Sequence, residues 1–222
     1  MKLTAINLAR SIWLLYLQEL NPKGLSLKPL LEPLVARYQF SKYPKPSDEL
    51  NWPQGVRFQE GIWQNASNEP VAIGLTVYAD GLVVESRHST AVCDAVLEDV
   101  LTWASNEFNL TPYSQILRSK SYVSEVYVDT ECSLDVINPR LREFGKRLNK
   151  EVIGQGEQVS FEIGSIAFWN DPKLTPGRVV SLTFERAQGF PFSKNRYFSA
   201  SPLPTDKHLE KLAELESLLN AQ

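Results

Sequence analysis

The stretch PVAIGLTVYADGLVVESRHSTAVCDAVLEDVLTWASNEF, residues 70–108, decides the fold of this chain of 222 residues. From Val71 to Ala79, apolar residues alternate with small or polar ones, which is the period-two pattern of a β-strand. Asp80-Gly81 follows, and these residue types tolerate the positive φ angles of a type I′ turn. We therefore expect the chain to fold back up to Arg87 and form a β-hairpin.

The turn also predicts how the two strands pair. A two-residue loop at Asp80-Gly81 places apolar side chains opposite one another on the core face. The predicted partners are Ala79 and Leu82, Tyr78 and Val83, Val77 and Val84, and Thr76 and Glu85.

An amphipathic helix is expected directly after the hairpin, from Thr90 to Phe108, with Ser89 or Thr90 as its N-cap. Its apolar positions recur at helical spacing and form one stripe: Cys93, Val96, Leu97, Val100, Leu101, Ala104 and Phe108. A helix of this length is marginal alone in water, so we expect the stripe to pack on the sheet. Thr111-Pro112 should end the helix.

Composition is that of an ordinary globular protein, with 43% hydrophobic and 22% charged residues. The formal net charge of −3 gives no reason to expect general nucleic-acid binding. The apolar run at residues 12–17 is too short for a stable membrane span, and no signal-peptide cleavage pattern follows it. Of the two cysteines, Cys93 lies on the apolar helix face, so we expect reduced thiols and a cytoplasmic protein.

The N-terminal third is harder to interpret. Residues 3–20 fit a buried helix, but Ser11 to Leu17 equally fit a central strand. A short helix is expected after Ser26, and Pro33 should kink or shorten it. Arg37 to Tyr43 is then expected to be extended.

The remaining segments alternate between strands and single helices. Strands are expected at Val56–Gln64 (at an edge or with a bulge at Gly61), Ser121–Asp129, Val159–Trp169 (interior) and Arg178–Arg186. Asn138-Pro139 should begin a helix that buries Leu141, Phe144 and Leu148, Gly189–Pro204 should be a loop, and Thr205 or Asp206 should cap a final leucine-rich helix. This order predicts an α+β fold, a mainly antiparallel sheet with helices packed on it. We expect a single domain over residues 1–222, with a weak possible boundary at 44–53.

No cofactor or metal site is expected. The two histidines and two cysteines are not at zinc-ligand spacing, and Gly154-Gln155-Gly156 does not lead from a strand into a helix. His208 should be solvated. Asp129, Glu131 and Asp135 resemble a Mg²⁺ cluster in composition, but acidic turn residues explain them better.

Aromatic and basic residues are interleaved in the segment from Phe190 to Pro204. Aromatic rings beside guanidinium groups can hold a small anionic ligand, although the same residues could simply pin a long loop to the core. The predicted ligand-binding residues are Arg186, Lys194, Arg196, Tyr197 and His88, the last at a strand-to-helix junction where a base or anion-binding group is useful.

Two functions remain open from these residues, with a third less favoured. The first is a non-enzymatic interaction protein that associates with itself or with a protein partner, since aromatic residues occur in irregular segments. The second is a hydrolase or nucleotide-handling enzyme whose site is assembled from scattered residues. The third is insertion of the hairpin into a membrane after a rearrangement.

Overall fold

The hairpin predicted at residues 71–87 is confirmed. In the computed structural model, which describes residues 1–24, 26, 28–45, 54–153, 160–171, 173 and 181–221, two antiparallel strands run over Pro70–Tyr78 and Gly81–Ser86. Val71, Ile73 and Leu75 are buried on one face of this pair, as the alternation indicates.

The predicted register of the hairpin is wrong. Tyr78 pairs with Gly81 and Val77 with Leu82, so the two-residue loop is Ala79-Asp80. Gly81 is not among the residues with positive φ. A Cβ on Gly81 would instead lie 2.6 Å from the carbonyl oxygen of Trp13, so the glycine is needed for close strand packing. Sliding the turn by one residue shifts the pairing by two, which leaves every side chain on its predicted face.

The described residues form one eight-stranded antiparallel sheet and five α-helices, which confirms the predicted α+β fold. The elements are β1 (Lys2–Leu14), α1 (Leu17–Leu20), α2 (Lys28–Tyr38), β2 (Val56–Gln64), β3 (Pro70–Tyr78), β4 (Gly81–Ser86), α3 (Thr90–Phe108), β5 (Ser119–Asp129), α4 (Pro139–Ile153), β6 (Ser165–Phe168), β7 (Leu182–Arg186), β8 (Arg196–Ser201) and α5 (Thr205–Asn220). The strand order is β2-β3-β4-β1-β5-β8-β7-β6.

The chain divides into two compact units. The first comprises residues 1–6, 125–202 and 206–222, and the second comprises residues 7–124 and 203–205. We call them the terminal unit and the hairpin unit. The predicted boundary at 44–53 falls largely on residues 46–53, which lie outside the described residues, and the single-domain prediction stays a prediction.

The core of the hairpin unit forms where α3 covers the sheet. The predicted stripe from Cys93 to Ala104 is buried, while Phe108 at its end is half-buried. The Ser89 side chain caps the helix by accepting a hydrogen bond from the Val92 amide at 3.2 Å. The helix spans Thr90–Phe108 as predicted, and it ends where Asn109 adopts a left-handed conformation, just before Thr111-Pro112.

The sequence left the N-terminal segment open between a buried helix and a strand, and the structure shows strand β1 there. The indole nitrogen of Trp13 in β1 donates a hydrogen bond to Asp94 of α3 at 2.7 Å. Helix α2 contains Pro33 and continues to Tyr38, so of the two effects expected of Pro33 it does not shorten the helix, and a kink stays a prediction. The extended conformation expected at residues 37–38 is wrong. β2 lies at a sheet edge with a register shift between Phe58 and Gly61, as predicted.

Three predictions about β6, the segment before α5 and helix α4 fail in the terminal unit. β6 covers only Ser165–Phe168 and lies at the sheet edge, so no long interior strand occupies the described part of Val159–Trp169. The expected loop at Gly189–Pro204 contains strand β8. Leu141 and Phe144 of α4 are exposed rather than buried. Of the predicted strand Arg178–Arg186, residues 178–180 lie outside the described residues, and β7 occupies the remainder from Leu182.

The core of the terminal unit lies between its strands and α5. Its buried members are Val126, Val128, Leu134, Phe184, Tyr197, Leu212 and Leu219. No helix within the described ranges is both long enough and apolar enough to cross a membrane.

Candidate functional site

Tyr197 is buried in the core of the terminal unit. Its ring stacks on Phe184 with a centroid separation of 4.5 Å, and its hydroxyl oxygen accepts a hydrogen bond from the Leu134 amide at 3.1 Å. Burial raises the pKa of the Tyr197 hydroxyl. A fully enclosed ring with its hydroxyl engaged has no surface to offer a ligand.

Arg186 pairs with Tyr197 across β7 and β8 and is nearly buried, with 8% of its side chain exposed. Its guanidinium forms an ion pair with Glu162, donates to Ser133 Oγ at 2.8 Å and lies 4.3 Å from the ring centroid of Phe192. The charge of Arg186 is therefore already compensated within the unit. Arg186 therefore links three separate segments of the chain, through Ser133, Glu162 and Phe192.

Arg196 is also paired. Its Nε and Nη2 atoms donate to the two carboxylate oxygens of Asp129 at 2.7 and 2.9 Å, and its guanidinium lies 4.6 Å from the Phe190 ring centroid. The Arg196 guanidinium lowers the pKa of Asp129 below its usual value. This bidentate pair engages Asp129, the first of the three acidic residues compared above with a Mg²⁺ cluster. The described residues contain no group of three or more possible metal ligands.

The other two predicted ligand-binding residues, Lys194 and His88, are both exposed. Lys194 ends a short 3₁₀ turn and is exposed. His88 is exposed after β4 and belongs to the hairpin unit, whereas the other four predicted residues belong to the terminal unit. The structure thus brings Arg186 and Tyr197 into contact but gives both a role in packing.

His208 is buried, so its predicted solvation is wrong. Its Nε2 lies 2.9 Å from Ser199 Oγ, and burial lowers the pKa of the imidazole to about 4. The burial of His208 could have been predicted from its spacing from Leu212 and Leu219, because all three positions lie on one helical face.

A different surface, on the hairpin unit, has the form of a binding site. On the sheet face that α3 does not cover, the described residues line an open cavity of about 580 Å³. One residue from each of four strands crosses this face in a single row: Ile12 of β1, Val83 of β4, Thr76 of β3 and Arg57 of β2. We call it the open sheet face; its lining is Arg10, Ile12, Leu14, Arg57, Gln59, Thr76, Tyr78, Asp80, Gly81, Val83 and Glu85.

Strand geometry explains why these side chains share one face. Along β1, the buried residues are Ala9, Ser11 and Trp13, so the alternating positions point the other way. Along β4, Gly81, Val83 and Glu85 share the open sheet face, and Gly81 adds no side chain to it. The pairing of β2 with β3 shifts register between Phe58 and Gly61, beyond Arg57 at the edge of this face.

The open sheet face combines an apolar floor with a charged rim. Ile12 and Val83 are half-buried, and 38% of Leu14 is exposed. Arg10 and Glu85 form an ion pair at 2.6 Å across β1 and β4. Its ionisable side chains are Arg10, Arg57, Tyr78, Asp80 and Glu85, and the lining contains no histidine or cysteine among the described residues.

The sequence pattern assigned a function only to the core face of the hairpin, as the face that packs, and so missed this surface. The available signal was that β1, β3 and β4 all carry apolar or aromatic residues at outward positions, such as Leu14, Tyr78 and Val83. Comparison with known proteins adds no functional assignment: no protein-family model matches the chain, and no curated protein matches its sequence.

Proposed function

We propose that this chain is a non-enzymatic interaction protein that acts by self-association through the open sheet face. The observation that carries the proposal is a four-stranded face whose described lining residues come from strands and a turn alone, with an apolar floor and a cavity of about 580 Å³. A sheet normally buries each strongly apolar face against another layer of structure. A second copy of the chain can supply that layer.

The charges of the open sheet face favour a second copy as the partner. Arg10 and Arg57 are balanced by Asp80 and Glu85, so the face carries no net charge. Arg10 and Glu85 already pair within one copy, which leaves Arg57 on β2 and Asp80 at the β3–β4 turn. In a twofold dimer the same patch meets itself, so Arg57 of each copy can approach Asp80 of the other.

The size of the face predicts weak association. Four strands at about 4.8 Å spacing and six residues at about 3.3 Å give a patch of roughly 19 by 20 Å. Its flat area of about 400 Å² per partner lies below the typical 800 Å² of stable interfaces. We therefore expect dissociation constants in the micromolar range rather than an obligate dimer.

Sedimentation equilibrium across the micromolar range tests the proposal. The expected result is a mass that rises from 25.1 kDa toward twice that value as concentration increases. Leu14→Glu should abolish the rise because it places a charge on the apolar floor. Leu3→Glu is the matched control, since Leu3 is equally exposed on the same strand but lies outside the face.

Charge reversal provides a sharper version of the experiment. Arg57→Glu makes the face net negative and Asp80→Arg makes it net positive, so each variant alone should stay monomeric. An equimolar mixture of the two should associate again. A wild-type chain that remains at 25.1 kDa throughout the micromolar range would refute self-association.

A protein partner of another kind is the second candidate, and the concavity of the open sheet face favours it. A depression of this volume accepts side chains projecting from a partner more readily than it accepts another depression. In that case, proteins co-purifying from the source cells should be lost with Leu14→Glu and retained with Leu3→Glu.

The enzymatic alternative draws less support from the contacts of its expected residues. Arg186 and Arg196 each pair with a carboxylate, and Tyr197 is enclosed. A cytoplasmic location is proposed as well, because Cys93 and Cys132 are both free thiols and Cys93 is buried.

A further inference from the structure

Helix α4 is held in the terminal unit along a narrow contact with the segment before β6. A Cβ on Gly145 would lie 2.8 Å from the Phe161 carbonyl oxygen, so only glycine allows this approach. Asn149, one turn later, accepts a hydrogen bond from the Phe161 amide at 2.7 Å. These contacts fix which side of the helix faces the unit.

The contact leaves part of the apolar stripe of α4 uncovered. Leu141 is 52% exposed and Phe144 is 57% exposed, although both share a helical face with the half-buried Leu148. Single exposed apolar residues are ordinary on protein surfaces, but two large ones on adjacent helical positions form a patch.

The charge of α4 is opposite to that of the chain as a whole. Five basic residues and two acidic ones give the helix a net charge of +3, whereas the chain carries −3. Arg140 and Arg147 lie four residues before and three residues after Phe144, so both neighbour its side chain on the helix surface. The uncovered apolar pair is therefore bordered by cations.

Two strongly exposed aromatic residues lie in the same unit. Phe168 ends β6 with 58% exposure, and Trp169 follows it with 79% exposure. Tryptophan is enriched where protein meets the headgroup region of a bilayer, because its ring is apolar and its N–H is polar.

We propose that α4 binds the surface of an anionic lipid bilayer. Leu141 and Phe144 enter the boundary between headgroups and acyl chains, while Arg140 and Arg147 reach the lipid phosphates. A fluid bilayer accepts side chains on a convex helix without a matching groove, which a protein partner would need. The net charge of +3 on an acidic protein selects an anionic surface over a neutral one.

Vesicle flotation with the full chain tests the proposal. We expect binding to vesicles of phosphatidylcholine mixed with phosphatidylserine, little binding to pure phosphatidylcholine, and weaker binding as salt is raised. The double variant Leu141→Ser/Phe144→Ser should lower the partition coefficient about tenfold or more. Leu218→Ser on α5 is the matched control, because Leu218 is 63% exposed and should leave binding unchanged.

A second pair of variants tests the charges. Arg140→Gln/Arg147→Gln should lower the partition coefficient on the anionic vesicles, whereas Lys207→Gln/Lys211→Gln on α5 should change it little. All these positions are exposed, so thermal unfolding should stay close to wild type. Failure to bind phosphatidylserine vesicles, or equal binding by the α4 variants, would overturn the proposal. Binding to soluble polyglutamate without vesicle binding would also overturn it and would point to an acidic protein.

Discussion

The buried histidine of α5 makes the terminal unit sensitive to acid. Ser199 donates its single hydroxyl hydrogen to the Thr183 carbonyl oxygen at 2.6 Å, so toward His208 it acts as an acceptor. The proton of the neutral imidazole therefore lies on Nε2. A second proton would place a charge in a site that is 0% exposed.

The size of the effect follows from the pKa difference. Burial lowers the pKa of His208 from 6.5 to about 4. Between these values the unfolded chain binds a proton more strongly than the folded chain, so stability is lost as the pH falls from 6.5 toward 4. Roughly 2.5 pKa units at 1.36 kcal/mol each give a loss of about 3 kcal/mol in the free energy of unfolding.

Urea unfolding of wild type and His208→Gln at several pH values between 7 and 4 measures this loss. Glutamine retains an N–H donor for Ser199 but does not titrate, so the variant should lack about 3 kcal/mol of the wild-type pH dependence. His88→Gln is the control, because His88 is exposed and its variant should follow the wild type. Parallel pH profiles for wild type and His208→Gln would refute the reasoning.

Two further predictions concern packing in the hairpin unit and the reactivity of the thiols. Gly81→Ala should lower the free energy of unfolding by more than about 1 kcal/mol, because its Cβ would lie 2.6 Å from the Trp13 carbonyl oxygen. Gly164→Ala, with nothing within 4 Å, should be nearly neutral in the same urea titration. Burial raises the pKa of Cys93 to about 12, so native protein should react with a thiol reagent at the half-buried Cys132 first and at Cys93 only on unfolding.

The elements that local patterns describe were predictable from the sequence. The helix at Thr90–Phe108 has its predicted bounds, since both the cap at Ser89 and the apolar spacing are encoded within a few residues. The two hairpin strands follow from period-two alternation in the same way. The turn position did not follow, because Gly81 is required by β1, a strand about 70 residues away in sequence.

Features set by distant partners escaped prediction for the same reason. The apolar stripe of α4 was predicted from its spacing, but that spacing does not indicate how much of the stripe the neighbouring segment covers. Arg186 was singled out as a ligand-binding residue, yet its partners Ser133 and Glu162 lie 53 and 24 residues away. The open sheet face needs four strands in register, and no single stretch of sequence contains that information.

The position of β1 has a consequence for synthesis of the protein. Leu14 pairs with Gly81, 67 residues later (81 − 14), and Ala9 pairs with Ser86, 77 residues later (86 − 9). At translation rates of about 5–20 residues per second, these partners leave the ribosome roughly 3–15 seconds after β1. During that interval the nascent chain exposes an apolar segment containing Ile12 and Trp13 with its backbone unpaired. Chaperones that shield nascent chains should therefore raise the yield of folded protein.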